Sequence, residues 1–227
     1  ILEAGAHVGH QSRRWNPKME KYIWDERDDV HVFDLAITAE KIEEACEFLY
    51  EKAKEGKDIV MVGTKRQAEE IVKEEAKNAG VYYVTERWLG GTLTNWKQMK
   101  TRIDKLLKMK EEKEAGEYEV YTNKEQVLLD REIDRLERFF GGLVGLDDIP
   151  DIMFVVDTLR ERVAVREANQ TDVTVVGVVD SNADPELVDY VIPANDDAVR
   201  TVKLIVQKIG SALAKGREEW EKKQGAI

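Results

Sequence analysis

Cysteine is almost absent: Cys46 is the single one in 227 residues, which excludes an internal disulfide and a zinc site built on several thiolates. No apolar run approaches the ~20 residues needed to cross a bilayer, so a membrane span is not expected. No signal or transit segment opens the chain, and a reducing cytoplasm is the expected compartment. The first residue is Ile1 rather than Met, which leaves room for residues upstream. The phosphate-cradling G-x-x-x-x-G-K-[ST] spacing is missing, as are a G-x-G-x-x-G after any strand pattern, a nucleophile elbow, an HExxH and a Ser/His/acid order. Positive charge is also short. Thirty-five Lys and Arg against 46 Asp and Glu leave a net charge of -11, the reverse of a generic nucleic-acid binder. What is present is a 42% apolar and 36% charged composition, enough for one large α/β domain or two small ones beneath a charged surface.

The charge is unevenly placed. Residues 86–110 carry seven cations against Glu86 and Asp104, a local charge of +5. Residues 11–21 hold Arg13, Arg14, Lys18 and Lys21 against Glu20, or +3, while residues 141–200 carry thirteen acids against four arginines, or -9. Fields act within a Debye length of ~8–10 Å, so a basic face can operate on an acidic protein.

Strand and helix patterns alternate. Thr38 is placed to cap a helix through Ile42, Ala45, Cys46, Leu49 and Ala53. Short unbroken apolar runs at 59–62, 81–84, 152–156, 174–179 and 190–192 suit parallel strands buried on both faces. Between them run helix patterns through Ala68 to Ala79 (ending at Gly80), through Val163, Val165 and Ala168, and through Ala198 to Ile209. The fold class expected is α/β, a Rossmann-like or flavodoxin-like parallel sheet with helices on both faces. From Asn95 to Phe140 no strand pattern occurs. Met99, Ile103 and Leu106, then Leu129, Ile133, Leu136 and Phe140, step by three and four, and Thr122 to Glu125 reads as a capping box. This predicts an antiparallel coiled-coil hairpin over residues 97–140, inserted in a discontinuous α/β domain of residues 1–96 and 141–227.

Two segments combine phosphate-neutralising cations with aromatic and amide groups. One is HVGHQSRRWNPK at 7–18, offering Arg13, Arg14, Trp15, Asn16 and Lys18; the other is RWLGGTLTNWK at 87–97, offering Arg87, Trp88, Asn95 and Lys97, followed by Lys100 and Arg102. Gly63-Thr64-Lys65-Arg66 lies between a strand and a helix, where backbone N–H groups can hold a phosphate of RNA or of a nucleotide. Asp180, Asp184, Asp196 and Asp197 follow strands, where carboxylates can gather round a cation; ordinary capping is the competing reading, favoured for Asp197. Cys46, on an apolar helix face, is expected to be packing rather than a nucleophile.

AGAHVGHQSRRWNPKM at 4–19, VGTK at 62–65, RWLGGTLTN at 87–95, IPD at 149–151 and IPANDDA at 192–198 together resemble the signature segments of the bacterial small-subunit ribosomal protein S-two family, in order along nearly the whole chain. The resemblance implies a non-enzymatic constituent of the small ribosomal subunit, cytoplasmic, that binds small-subunit ribosomal RNA between head and body. It further implies that the chain helps dock the large OB-repeat ribosomal protein, with no essential cofactor and no obligate homo-oligomer. It also suggests a structural divalent ion, magnesium or zinc, near Asn16, Asp180 and Asp196; oxygen ligands favour a magnesium-like ion, and zinc becomes plausible if His7 or His10 joins. Two rivals remain at this point. A Rossmann-like metal-dependent phosphate-ester or nucleotide enzyme would use Lys65 with a metal at Asp180 and Asp196. A helical-hairpin adaptor binding only proteins would leave both Arg–Trp segments unexplained.

Overall fold

The chain opens with an antiparallel sheet that the sequence patterns did not announce. The structure, a computed structural model, describes residues 1–224. Strands β1 (Val8–Gln11), β2 (Ile23–Arg27) and β3 (Val30–Phe33) pair in the order β1-β3-β2. Asp28 and Asp29 connect β2 to β3 and both have positive φ, 51° and 59°. A two-residue hairpin loop requires that conformation, and Asp tolerates it almost as Asn does.

The apolar runs then form the main sheet: β4 (Ile59–Val62), β5 (Tyr82–Val84), β6 (Ile152–Val156), β7 (Thr174–Val179) and β8 (Tyr190–Pro193). All neighbours are parallel, in the order β5-β4-β6-β7-β8. This is a flavodoxin-like order, with the chain reversing direction across the sheet between β4 and β6. Side chains alternate between two cores. Ile59, Met61, Phe154, Val156, Val176, Val178 and Ile192 face helices α1 (Leu35–Lys54), α2 (Glu69–Ala79) and α6 (Val199–Gln224). Val60, Val62, Met153, Val155, Val175 and Val179 face the other way, against α5 (Arg162–Gln170), Met19, Tyr22, Trp88, Leu93 and Trp96. Burial on both faces is why these strands read as continuous apolar runs.

Three helix details differ from expectation. α1 begins at Leu35, capped by Asp34, whose carboxylate accepts from Ala36 and Ile37 N–H; Thr38 lies inside the helix and donates its hydroxyl to Asp34 O and Pro193 O. The capping role expected of Asp197 falls instead to Asn195, whose Oδ1 accepts from Asp197 and Ala198 N–H. On α5 the buried stripe is Ala164, Val165 and Ala168, and Val163 is exposed. The capping box at Thr122 forms as expected.

Residues 95–140 form two helices, α3 (Trp96–Glu114) and α4 (Asn123–Phe140), packed as a hairpin on Ile103, Leu106, Met109, Ile133, Leu136 and Phe140. Their stripe is continuous with the sheet core, and Lys105–Glu132, Lys110–Glu137 and Lys113–Asp130 pair across the outside. Exposed pairs of this kind contribute only ~0.2–1 kcal/mol each, so the apolar stripe sets the register. At the hairpin's return Gly142 is required sterically, since a Cβ there would lie 2.1 Å from Tyr83 O.

Candidate nucleic-acid interface

Residues 12–22 cross the surface in two short helical turns, Ser12–Arg14 and Pro17–Tyr22. Asn16 joins them: its backbone N–H donates to Ser181 O at 2.7 Å and its Oδ1 accepts the Lys18 N–H. Met19 and Tyr22 anchor the segment in the sheet core, leaving Arg13 and Arg14 exposed. Arg13 donates to Gln11, and neither Arg13 nor Arg14 makes an ion pair with the described residues. Trp15 is half-buried against His31, ring centroids 4.6 Å apart. Lys18 is exposed but already paired with Asp184 at 2.9 Å and Glu186 at 2.5 Å.

The second basic segment follows β5. Arg87 is exposed, while Trp88 is 8% exposed and donates its Nε1–H to Glu167. Trp88 is therefore core, not the RNA-facing residue expected of it. Asn95 stands at the N-cap position of α3 without a side-chain cap bond. Lys97 and Arg102 are exposed, whereas Lys100 is turned back to Leu146 O and Asp147. Both basic segments thus border the same face of the sheet, held by Met19 and Tyr22 on one side and by Trp88, Leu93 and Trp96 on the other.

Lys65 departs furthest from expectation. In place of a phosphate-binding loop, its buried ammonium meets Asp196 at 2.6 Å, Asp197 at 2.7 Å and Asp157 at 3.0 Å. Burial alone would lower its pKa, but the Asp196 and Asp197 contacts outweigh that and hold it well above the ordinary lysine value. The neighbouring Thr64 N–H and hydroxyl are also spent, donating to buried Glu161, whose own pKa burial pushes up. Arg66 alone of this turn is exposed. The crevice at the carboxyl ends of β4 and β6, where open α/β sheets take ligands, is thus filled by the chain's own charges.

Beside Lys65, His10, Asp180 and Asp196 bring one ligand atom each within 4.8 Å of one another. His10 Nδ1 lies 3.1 Å from Asp180 Oδ1, and Nε2 lies 3.4 Å from Asp197 Oδ2. Asp180 holds the imidazole above its ordinary pKa. Burial, then the negative Asp157 and Asp180, push Asp196 up to about 7. Asn16, expected as a ligand, has its oxygen engaged as a cap; the third group in the cluster is His10.

Comparison with known proteins decides the identity. A family model described as ribosomal protein S2 matches residues 1–216. The small ribosomal subunit protein uS2 of Dictyoglomus turgidum is 49% identical over 222 residues, covering 98% of this chain and 90% of the relative. That of Dictyoglomus thermophilum is 48% identical over the same share. The chain belongs to the ribosomal protein S2 family.

Membership makes it a structural constituent of the small ribosomal subunit, acting in translation and not an enzyme. The enzyme alternative falls with that assignment, and the filled crevice agrees with it. Among the described residues no helix is long and apolar enough to cross a membrane. Two groups that shape this surface carried no motif in the sequence, and a third was offered only conditionally. His10 was named with His7 as a group whose joining would bring zinc into play, and the structure brings His10 to Asp180 and Asp196, 170 or more residues away. Asp157, at positive φ 65°, was counted only as one of the thirteen acids of residues 141–200. Glu167, 6% exposed, was only one of the same thirteen acids, with no motif to mark it.

Proposed function

We propose that this S2-family chain binds small-subunit ribosomal RNA, between head and body, through two sets of exposed cations, Arg13 and Arg14 with Arg87, Lys97 and Arg102. The carrying observation is that these side chains are exposed and unneutralised on a chain of net charge -11, on two segments bordering one sheet face. Such cations serve phosphates, and RNA shape rather than base identity is what they read. Trp15 and Asn95 lie beside them. Arg66 adds a cation beyond the carboxyl end of β4, while Lys18 and Lys100 contribute only by exchanging internal partners. The discontinuous α/β domain, residues 1–96 with 141–227, is scaffold, and the hairpin of residues 97–140 is a projecting arm. Docking of the large OB-repeat ribosomal protein suits the open apolar concavity of about 660 Å³ that includes Leu2, Val8, Trp24, Val30 and Val32.

The test is salt dependence. Charge-removing substitutions at Arg13, Arg14, Arg87 and Lys97 are expected to weaken binding to small subunits stripped of this protein. Each phosphate left without its cation should lower the slope of log affinity against log salt by ~0.7–0.9. Unchanged affinity and slope would overturn the assignment.

A structural divalent ion is the second element of the reading. The residues fit one: His10 Nδ1 is buried without a well-aligned hydrogen-bond partner, and two nearly inaccessible carboxylates face it. One imidazole nitrogen with two carboxylates suits zinc better than magnesium. His10, Asp180 and Asp196 would hold the ion, and it would offset carboxylate repulsion now balanced by Lys65. Thermal stability, measured in chelator and then with added zinc, should rise in the parent and not in Asp180→Asn. At a hundredfold excess over Kd the gain is about 2.7 kcal/mol. A parent without a zinc-dependent rise would mean that the Lys65 ion cluster is complete by itself.

A further inference from the structure

Between β5 and α3 the chain runs from Thr85 to Asn95 without regular structure, and its backbone donors converge on one group. The Glu167 carboxylate, carried by α5, accepts from Gly91 N–H at 2.7 Å and Leu93 N–H at 2.9 Å. Longer contacts come from Thr94 N–H at 3.3 Å, Trp88 Nε1–H at 3.3 Å and the Thr94 hydroxyl at 3.4 Å. Gly91, at φ +90°, supplies the left-handed turn that aims these N–H groups inward. The carboxylate is 6% exposed, and no cation among the described residues pairs with it. Its charge is balanced by five donors of one loop.

We infer that Glu167 is the positioning residue of the 87–97 RNA-binding segment: by holding Trp88 inward and the 91–94 backbone fixed, it presents Arg87 and Lys97 outward at a set spacing. Arg87 on an unanchored eleven-residue loop would lose its set spacing from Lys97, in the first turn of α3, when free and have to regain it on binding at an entropic cost. The inference rests on the RNA-binding reading above and adds the group that preorganises it. A glutamate is an unexpected anchor beside a polyanion, and its burial explains why it does not repel one. The phosphate meets the outer cations, and the carboxylate stays behind the loop, neutralised by N–H dipoles.

The test is a double-mutant cycle on the full chain, read by affinity for small subunits stripped of this protein across a salt series. Glu167→Gln preserves volume but turns an NH₂ group toward N–H donors. It is expected to keep a cooperative unfolding transition and to weaken subunit binding about tenfold or more. The salt slope should fall by ~0.7–0.9 for each phosphate that Arg87 or Lys97 no longer reaches. Arg87→Ala with Lys97→Ala should then cost far less in the Glu167→Gln background than in the parent. A merely structural glutamate would not produce that coupling. Equal losses in both backgrounds, or parental binding by Glu167→Gln, would overturn the inference while leaving the RNA reading intact. If Arg87→Ala with Lys97→Ala changed neither affinity nor slope in the parent, the RNA reading itself would fail and the inference with it. Should Glu167→Gln not unfold cooperatively, Glu167→Asp, which keeps the charge and shortens the reach, carries the same cycle: an intermediate loss coupled to Arg87 and Lys97 supports positioning, and an additive one overturns it.

Discussion

Replacing Lys65 with methionine is expected to lower the unfolding free energy by about 3–5 kcal/mol, the loss typical when one partner of a buried charge cluster is removed. Among the described residues the ammonium is the only cation that pairs with Asp157 and Asp196, whose side chains are 12% and 3% exposed, and Asp180 beside them is fully buried. Methionine fills the same volume, so packing is kept while Asp157 and Asp196 lose their ammonium and His10 stays beside Asp180. Domains of this kind are stable by roughly 5–15 kcal/mol in total, so the loss is a large share. Denaturant unfolding of the metal-free protein at pH 7.5 measures it, with Arg66→Met, one residue along but exposed, as the control. A loss below about 1 kcal/mol at Lys65 would show that the cluster relaxes or admits water readily.

The same cluster gives the stability of the metal-free protein an unusual pH slope. Asp196 sits at about 7 in the fold against an ordinary 3.8, so between those values the folded state holds a proton that the unfolded chain has released. Stability then falls as pH rises through that window. His10 acts in the same direction: Asp180 raises its pKa, so its contribution is full below the unfolded value near 6.5 and is lost as pH rises through the folded one. Asp197 opposes them, since Lys65 lowers its pKa, but that gain is complete once pH is well above 3.8. Between pH 5 and 8 the expected result is a loss of about 2–4 kcal/mol, since one proton held across one pH unit is worth about 1.36 kcal/mol. Asp196→Asn should flatten much of it. A parent whose stability rose over that interval would contradict the arrangement.

The sheet was legible because its strands are buried on both faces, and such strands carry an unbroken apolar run. The helical pair at 95–140 was legible for the opposite reason: its narrow stripe stands out against charge. The first sheet was not, because β1 to β3 are short and half-exposed, and their turn uses Asp28-Asp29 in place of the usual Asn-Gly. At the interface, local composition located both basic segments. What it could not supply was which cations are already spent. Lys65 and Arg66 are adjacent and alike in sequence, yet one is locked among three aspartates that approach from β6 and from the segment after β8, and the other is free. Trp88 and Trp15 read alike too, until Glu167 claims the indole of the first. Partner choice of this kind is set by long-range topology, and a charge count along the chain does not contain it.

Sedimentation through a sucrose gradient is the most direct measurement of the central claim. Purified chain is mixed with small ribosomal subunits from which this protein has been stripped, at several salt concentrations. The account predicts stoichiometric co-migration at moderate salt. Release should follow as salt rises, and the release point should move to lower salt when Arg13, Arg14, Arg87 and Lys97 are replaced by alanine. A chain that stayed at the top of the gradient, or a quadruple variant that co-migrated with unchanged salt dependence, would contradict it.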